Sequence, residues 1–204
     1  MINKIILVII IGFIVTIGCT DSSMNPVQPY DTSKGIVPLA VGNTWVRFGT
    51  SYNKSFTDSS TSYDTMRITR DTLINGVKWY FLSSSSEQII SNQLDGLYFY
   101  FADLGPSIWL KYPANQNYIV MVQGNTSLKV ANSDTIITVP AGTFHCYRYD
   151  YDIKPSSEGQ DGAKLVYYVS PNNGFIKYET YFIPKNTTTL IYESKIEVIK
   201  IVLK

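Results

Sequence analysis

His145 is the only histidine of the 204 residues, so a Ser-His-Asp or Cys-His mechanism would have to use it. Its neighbour Cys146 is no partner, because adjacent side chains of a strand point to opposite faces. No Gly-x-Ser-x-Gly elbow supplies a serine nucleophile. His145 therefore reads as a histidine at the rim of a tyrosine-rich strand face. Zinc would need two or more carboxylates to join this single imidazole. Asp150 and Asp152, with Glu158 and Asp161 beyond them, offer the oxygen donors that calcium takes. Pro155 stands where an EF-hand loop needs its glycine, so these acids read as outward-facing strand carboxylates partnered by Arg148 and Lys154. Glycan hydrolysis needs two carboxylates across a cleft. With 16 acidic residues such pairs arise in any sheet, and they single out no site. Phosphate-cradling glycine loops are absent. The expectation is a protein with no catalytic residue, no metal and no cofactor.

Aromatic residues are the remaining chemical resource: 16 Tyr, 9 Phe and 3 Trp. A tyrosine on a concave sheet offers apolar area with a polar tip, which suits a lipid tail or a sugar face. Trp45, Tyr147, Tyr149 and Tyr178 are the candidate ligand-facing residues. Between Thr143 and Lys154, period two puts His145, Tyr147, Tyr149, Tyr151 and Ile153 on one face. Cys146, Arg148, Asp150, Asp152 and Lys154 fall on the other, which is expected to be solvated.

Positioning these residues is work for strands. Tyr, Thr, Ser, Ile and Val suit pleated, half-buried surfaces, and runs of helix formers at helical spacing are missing. Asn75-Gly76 and Asp95-Gly96 each sit between apolar strands, a strong hairpin signal. Pro140-Ala141-Gly142, Glu158 to Gly162, Pro171 to Gly174 and Pro184-Lys185-Asn186 mark further turns. The spacing predicts about ten to twelve antiparallel strands. The expected fold is all-β and mainly antiparallel, a large curved sheet or open half barrel with little helix. In the last strand, Thr188 to about Val202, the apolar face switches partway, which predicts a bulge or bend. One echo joins Val37-Pro38 through Trp45-Val46 to Tyr112-Pro113 through Ile119-Val120. It marks either two halves of one sheet or one loop chemistry used twice.

The chain opens with Lys4, an apolar run from Ile5 to Ile17, and then Gly18-Cys19. A cationic head, an apolar middle and a small residue before the cut are the parts of a secretory signal. The run falls short of the about 20 residues of a membrane span. Thr16-Ile17-Gly18-Cys19 resembles the bacterial lipobox, which implies a diacylglycerol thioether on Cys19. The alternative is a Cys19–Cys146 disulfide in a secreted protein. Residues 1–18 are expected to be the lipoprotein signal, 19–36 a flexible tether and 37–204 one antiparallel β domain. Without the signal, Lys4 is lost, so 16 basic residues remain against 16 acidic ones. A neutral chain without a basic cluster argues against nucleic acid as a partner.

Thr138-Val139-Pro140-Ala141-Gly142-Thr143-Phe144-His145-Cys146-Tyr147, the stretch Tyr167 to Glu179, and Pro38-Leu39 with Gly42-Asn43 and Trp45 resemble uncharacterised bacterial lipoproteins. At the level of fold these are similar to the curved sheets of lipoprotein carriers of the LolA and LolB type, whose hollow holds acyl chains. Thr20 stands where an inner-membrane retention signal has Asp, so the resemblance implies the outer membrane of a Gram-negative cell envelope. Asp64-Thr65-Met66, Asp71-Thr72-Leu73 and Asp134-Thr135-Ile136 resemble an envelope O-glycosylation acceptor. The leading expectation is a non-catalytic module. Its lipid anchor binds the membrane, and its sheet holds an apolar or amphipathic ligand or an envelope protein partner. The alternatives are a glycan hydrolase with paired carboxylates and a structural or adhesion subunit.

Overall fold

The computed structural model describes residues 35–53, 57–83, 87–156 and 160–204. The expected signal, Cys19, residues 19–34 of the expected tether, and Glu158 lie outside them.

Twelve strands form one antiparallel sheet among the described residues, with no helix. They are β1 (Thr44–Tyr52), β2 (Ser59–Ile74), β3 (Val77–Ser83), β4 (Glu87–Gln93), β5 (Gly96–Phe101) and β6 (Gly105–Lys111). Then follow β7 (Ile119–Gln123), β8 (Thr126–Val139), β9 (Gly142–Ile153), β10 (Gly162–Ser170), β11 (Gly174–Ile183) and β12 (Ile191–Val202). The spatial order is β6-β5-β4-β3-β2-β1-β12-β11-β10-β9-β8-β7. Every neighbour is a sequence neighbour except β1 and β12, the first and last of the described strands, which pair over eight residues. The sheet rolls into a nearly closed barrel whose two edges, β6 and β7, are consecutive in sequence.

Local chemistry sets the turns. Asn75 and Gly76 both take positive φ (52° and 79°), the conformation that a two-residue primed turn demands. At Gly174 (φ 84°) a Cβ would lie 2.9 Å from the Trp45 ring, so both the backbone and the packing require glycine. The break in the β12 pattern is a pair of bulges. Ile199 is skipped opposite Val46–Arg47, and Glu193 is skipped opposite Thr180–Tyr181.

The echo between residues 37–46 and 112–120 is structural, and it marks two halves of six strands. In the first half, Gly42 N donates to Ile68 O and Ile68 N to Asn43 O. In the second, Asn117 N donates to Val130 O and Val130 N to Tyr118 O. A bulge follows Ile68 in β2 and Val130 in β8. Val37 and Tyr112, each preceding its proline, are both buried. This matching places β1 over β7 and β6 over β12. The paired β12–β1 seam and the open β6–β7 seam are therefore equivalent places in the two halves.

The core fills the inside of the roll. Trp45, Met66, Ile68, Leu82, Ile90, Leu97, Leu110, Val130, Tyr149 and Val198 are buried there with Ile36 and Val37. Opposite partners share a face, and a single row carries Val130, Tyr149, Tyr167, Tyr178 and Ile196 across β8 to β12.

The outer face of β9 departs from the expected solvated one. Asp150 is only 4% exposed and Cys146 is fully covered. Asp150 accepts from Arg148 Nε at 2.8 Å and from Lys164 Nζ at 2.6 Å, and Lys164 also reaches Asp152 at 3.2 Å. The expected partner Lys154 is replaced by Lys164, which stands directly opposite Asp152 on β10. A carboxylate can be buried here because it is paired with the largely buried Lys164 and the part-exposed Arg148. Cys146 lies beyond the last β10 pair, Tyr147–Val169. There the β8–β9 hairpin crosses the end of the sheet, and Ala141 N bonds to Val198 O of β12.

Candidate functional site

Inside the roll the core does not close completely. A cavity of about 230 Å³ lies between the two halves. Arg47 (β1), Met66 (β2) and Leu82 (β3) line one wall, and Tyr167 (β10), Phe175 and Tyr178 (β11) the other. Alternation explains this. Each side chain occupies an inward position, and the β11 bulge between Phe175 and Lys177 turns an extra residue inward.

Trp109 of β6 joins the two walls. It stacks on Phe99 with centroids 4.2 Å apart, lies 5.0 Å from Phe175, and meets Tyr167 edge-on at 5.9 Å. Tyr167 in turn lies 5.2 Å from Tyr178. Burial, and then the neighbouring Tyr178, push the Tyr167 phenol well above its ordinary range, so it stays a neutral hydroxyl. These rings join Met66, Leu82, Ile176 and Ile196 to give the cavity an aromatic and aliphatic lining with phenol tips.

Three polar side chains interrupt that lining: Gln88, Lys177 and, on β1, Arg47. Arg47 Nε donates to Asp64 Oδ1 at 2.8 Å and its Nη2 to Oδ2, a two-pronged pair between directly opposed residues of β1 and β2. Nη1 is directed at the thioether of Met66, 3.9 Å away. The Arg47 side chain is 19% exposed and that of Asp64 37%, so the carboxylate lies on the solvent side of the guanidinium.

The four aromatics singled out in the sequence occupy the inner face but not one site. Tyr178 lines the cavity. Trp45 is fully buried and donates from Nε1 to Asn173 O at 2.6 Å. Tyr149, also fully buried, donates to Lys111 O at 2.8 Å. Tyr147 packs edge-on against Tyr112 at 5.2 Å. These three hold the roll together. Trp109, Phe175 and Arg47 were not among the four. Arg47 carried a signal: it is a cation two residues after Trp45, at the same inward parity of β1.

The other residues that could do chemistry are occupied or apart. His145 Nδ1 lies 2.7 Å from Asp134 across the β8–β9 hairpin, and among the described hydrogen bonds none joins its ring to a hydroxyl or thiol. Burial, with a smaller effect of Asp134, pushes the Cys146 thiol up to about 12, so it is not a ready thiolate. Asp150 and Asp152 lie on the outer face, away from the cavity, in the pairs with Arg148 and Lys164. Asp161 accepts from Lys185 N. Among the described residues no three His, Cys, Asp or Glu side chains converge as metal ligands. The aspartates of the three Asp-Thr tripeptides are all in cross-strand pairs: Asp64 with Arg47, Asp71 with Lys78 and Asp134 with His145.

No family model matches the chain, and neither does any of the curated proteins. Among solved structures it is similar to a candidate exported protein with a YmcC-like fold from Bacteroides fragilis. The two share 12% identity at a TM-score of 0.50, over 80% of this chain and 97% of that one. A candidate lipoprotein from Parabacteroides distasonis aligns at 16% identity and a TM-score of 0.49, over 82% of this chain and 98% of that one. The likeness to the Bacteroides fragilis protein is one of fold: a rolled antiparallel sheet of the YmcC-like kind.

Proposed function

We propose that this chain is a lipid-anchored envelope protein whose rolled sheet is a non-catalytic binding module. The observation that carries the binding reading is the aromatic cavity bounded by Trp109, Phe175 and Tyr178. The space opens to solvent and offers a concave surface of rings and aliphatic side chains with a few polar groups, the kind of surface that takes a ligand. At about 230 Å³ it lies below the ~300–1,000 Å³ of sites for drug-sized ligands. It takes one or two rings or a short aliphatic segment of a ligand, with the remainder at its open mouth, rather than the whole acyl chains held by a carrier of the LolA or LolB type. The occupant is a small apolar or amphipathic molecule, or an apolar side chain of an envelope partner protein.

The anchor is supported by the leader ending in Gly18-Cys19 and by the export assigned to the similarly folded Bacteroides fragilis protein. The expected address is the outer membrane. A hydrolase is disfavoured because Asp150 and Asp152 are held by cations on the face opposite the cavity. Two experiments test the proposal. Palmitate labelling should be abolished by Cys19→Ala, and labelling that persists in that variant would refute the anchor. Native mass spectrometry of the purified full chain should show a bound small molecule that Phe175→Trp, by filling the cavity, displaces. A chain found empty after every mild extraction would contradict the binding module.

A further inference from the structure

We infer that the cavity selects anionic amphiphiles, with Arg47 as the contact for the charged head and Trp109 and Phe175 as the contact for the apolar part. The inference rests on the cavity being a ligand site and adds the class of ligand. An arginine presents several N–H groups in a fixed fork, and Asp64 takes only the Nε–Nη2 edge. Nη1 faces Met66 Sδ, a weak acceptor, in a wall completed by Leu82 and Gln88. Among the described residues Arg47 has no other oxygen partner. A neutral ligand would leave Nη1 with its thioether, whereas a carboxylate, sulfonate or phosphate would give it a charge-assisted bond in a partly dehydrated place.

The other cation at the cavity is not available. Lys177 Nζ is held on the outer face by Glu179 at 2.9 Å and Glu197 at 3.5 Å. Arg47 therefore sets the sign of the charge that the cavity accepts, and Asp64 opposes it. Asp64 neutralises the guanidinium while the cavity is empty, and its negative charge keeps the affinity for an anion moderate.

Two fluorescent probes of like shape separate charge from burial: anilinonaphthalene sulfonate, an anion, and phenylnaphthylamine, which is neutral. Both are titrated into the purified full chain, into Arg47→Gln and into Asp64→Asn, with Arg70→Gln on an exposed strand position as control. Arg47→Gln should weaken the anion by about tenfold or more, the effect of one charge-assisted bond, and leave the neutral probe unchanged. Asp64→Asn keeps the fork and removes the opposing charge, so it should tighten the anion several-fold. This variant reads the same contact in the opposite direction should Arg47→Gln fail to fold. Anion affinity that is unchanged in Asp64→Asn, or a parallel loss of both probes in a folded Arg47→Gln, would overturn the inference and leave the cavity reading standing. If neither probe binds the unmodified chain, the cavity reading itself fails, and the inference with it.

Discussion

The two halves of the sheet meet twice, and they meet differently. Where β12 meets β1, eight residue pairs form a ladder, and Trp45 beneath it bonds to the β10–β11 turn. At the equivalent place between β6 and β7 the described residues form no ladder. β6 and the residue after it reach past β7 to the second half by side chains instead: Tyr149 OH on Lys111 O, Tyr112 against Tyr147, and Trp109 reaching Tyr167 and Phe175. The difference lies in the strands. β7 has five residues where β1 has nine, and Pro106 in β6 lacks the amide a ladder would use. One seam closes the fold, and the other leaves an aromatic wall beside the cavity. Closure by a ladder thus belongs to one junction, whereas both border the cavity, with Arg47 at the closed junction and Trp109 at the open one.

Several substitutions would break or sharpen this contrast. Trp45→Ala, at the closed seam, removes a fully buried ring and its hydrogen bond. It should destabilise by about 3–5 kcal/mol in urea unfolding. Trp109→Ala, at the open seam, removes a half-buried ring. It should lower stability less and abolish binding of phenylnaphthylamine. Equal stability losses with binding intact would erase the division of labour.

Asp150→Asn addresses the outer face of β9, away from both seams, and should lower stability by about 2 kcal/mol at neutral pH. Burial alone would raise the Asp150 carboxyl, but its bonds with Lys164 and Arg148 outweigh that and hold it below the usual 3.8. The stability it contributes is therefore complete above the unfolded carboxylate's range. It is lost as the pH falls through the depressed folded value. The difference between parent and Asp150→Asn should accordingly shrink in acid, where a difference independent of pH would contradict the ion pairs. Tyr149→Phe should cost about 1 kcal/mol and speed amide exchange in β6 and β7 while leaving β1 and β12 protected, as hydrogen exchange would show.

Much of this architecture was legible in the chain. Asn75-Gly76 and Pro171 to Gly174 mark their turns because positive φ restricts the residues that can stand there. The switch of face in the last strand corresponds to the skipped Glu193 and Ile199. The likeness of Pro38 and Pro113 marks the two halves. What stayed hidden is non-local. That β1 closes on β12 depends on residues about 150 positions apart, beyond the reach of turn chemistry. The burial of Asp150 depends on Lys164 arriving from the next strand, and alternation along β9 sees only its own residues. The cavity was found in part, through Tyr178. Trp45 and Tyr149 carry the same aromatic signal as Trp109, and only the packing separates those that fill the core from the one that borders the space.

The most direct measurement is a titration of phenylnaphthylamine into the purified full chain, free of detergent, beside the Phe175→Trp and Trp109→Ala variants. The account predicts saturable binding of one probe per chain to the parent and none to either variant. Saturable binding that survives Phe175→Trp unchanged would put the ligand elsewhere and contradict a binding module built on this cavity.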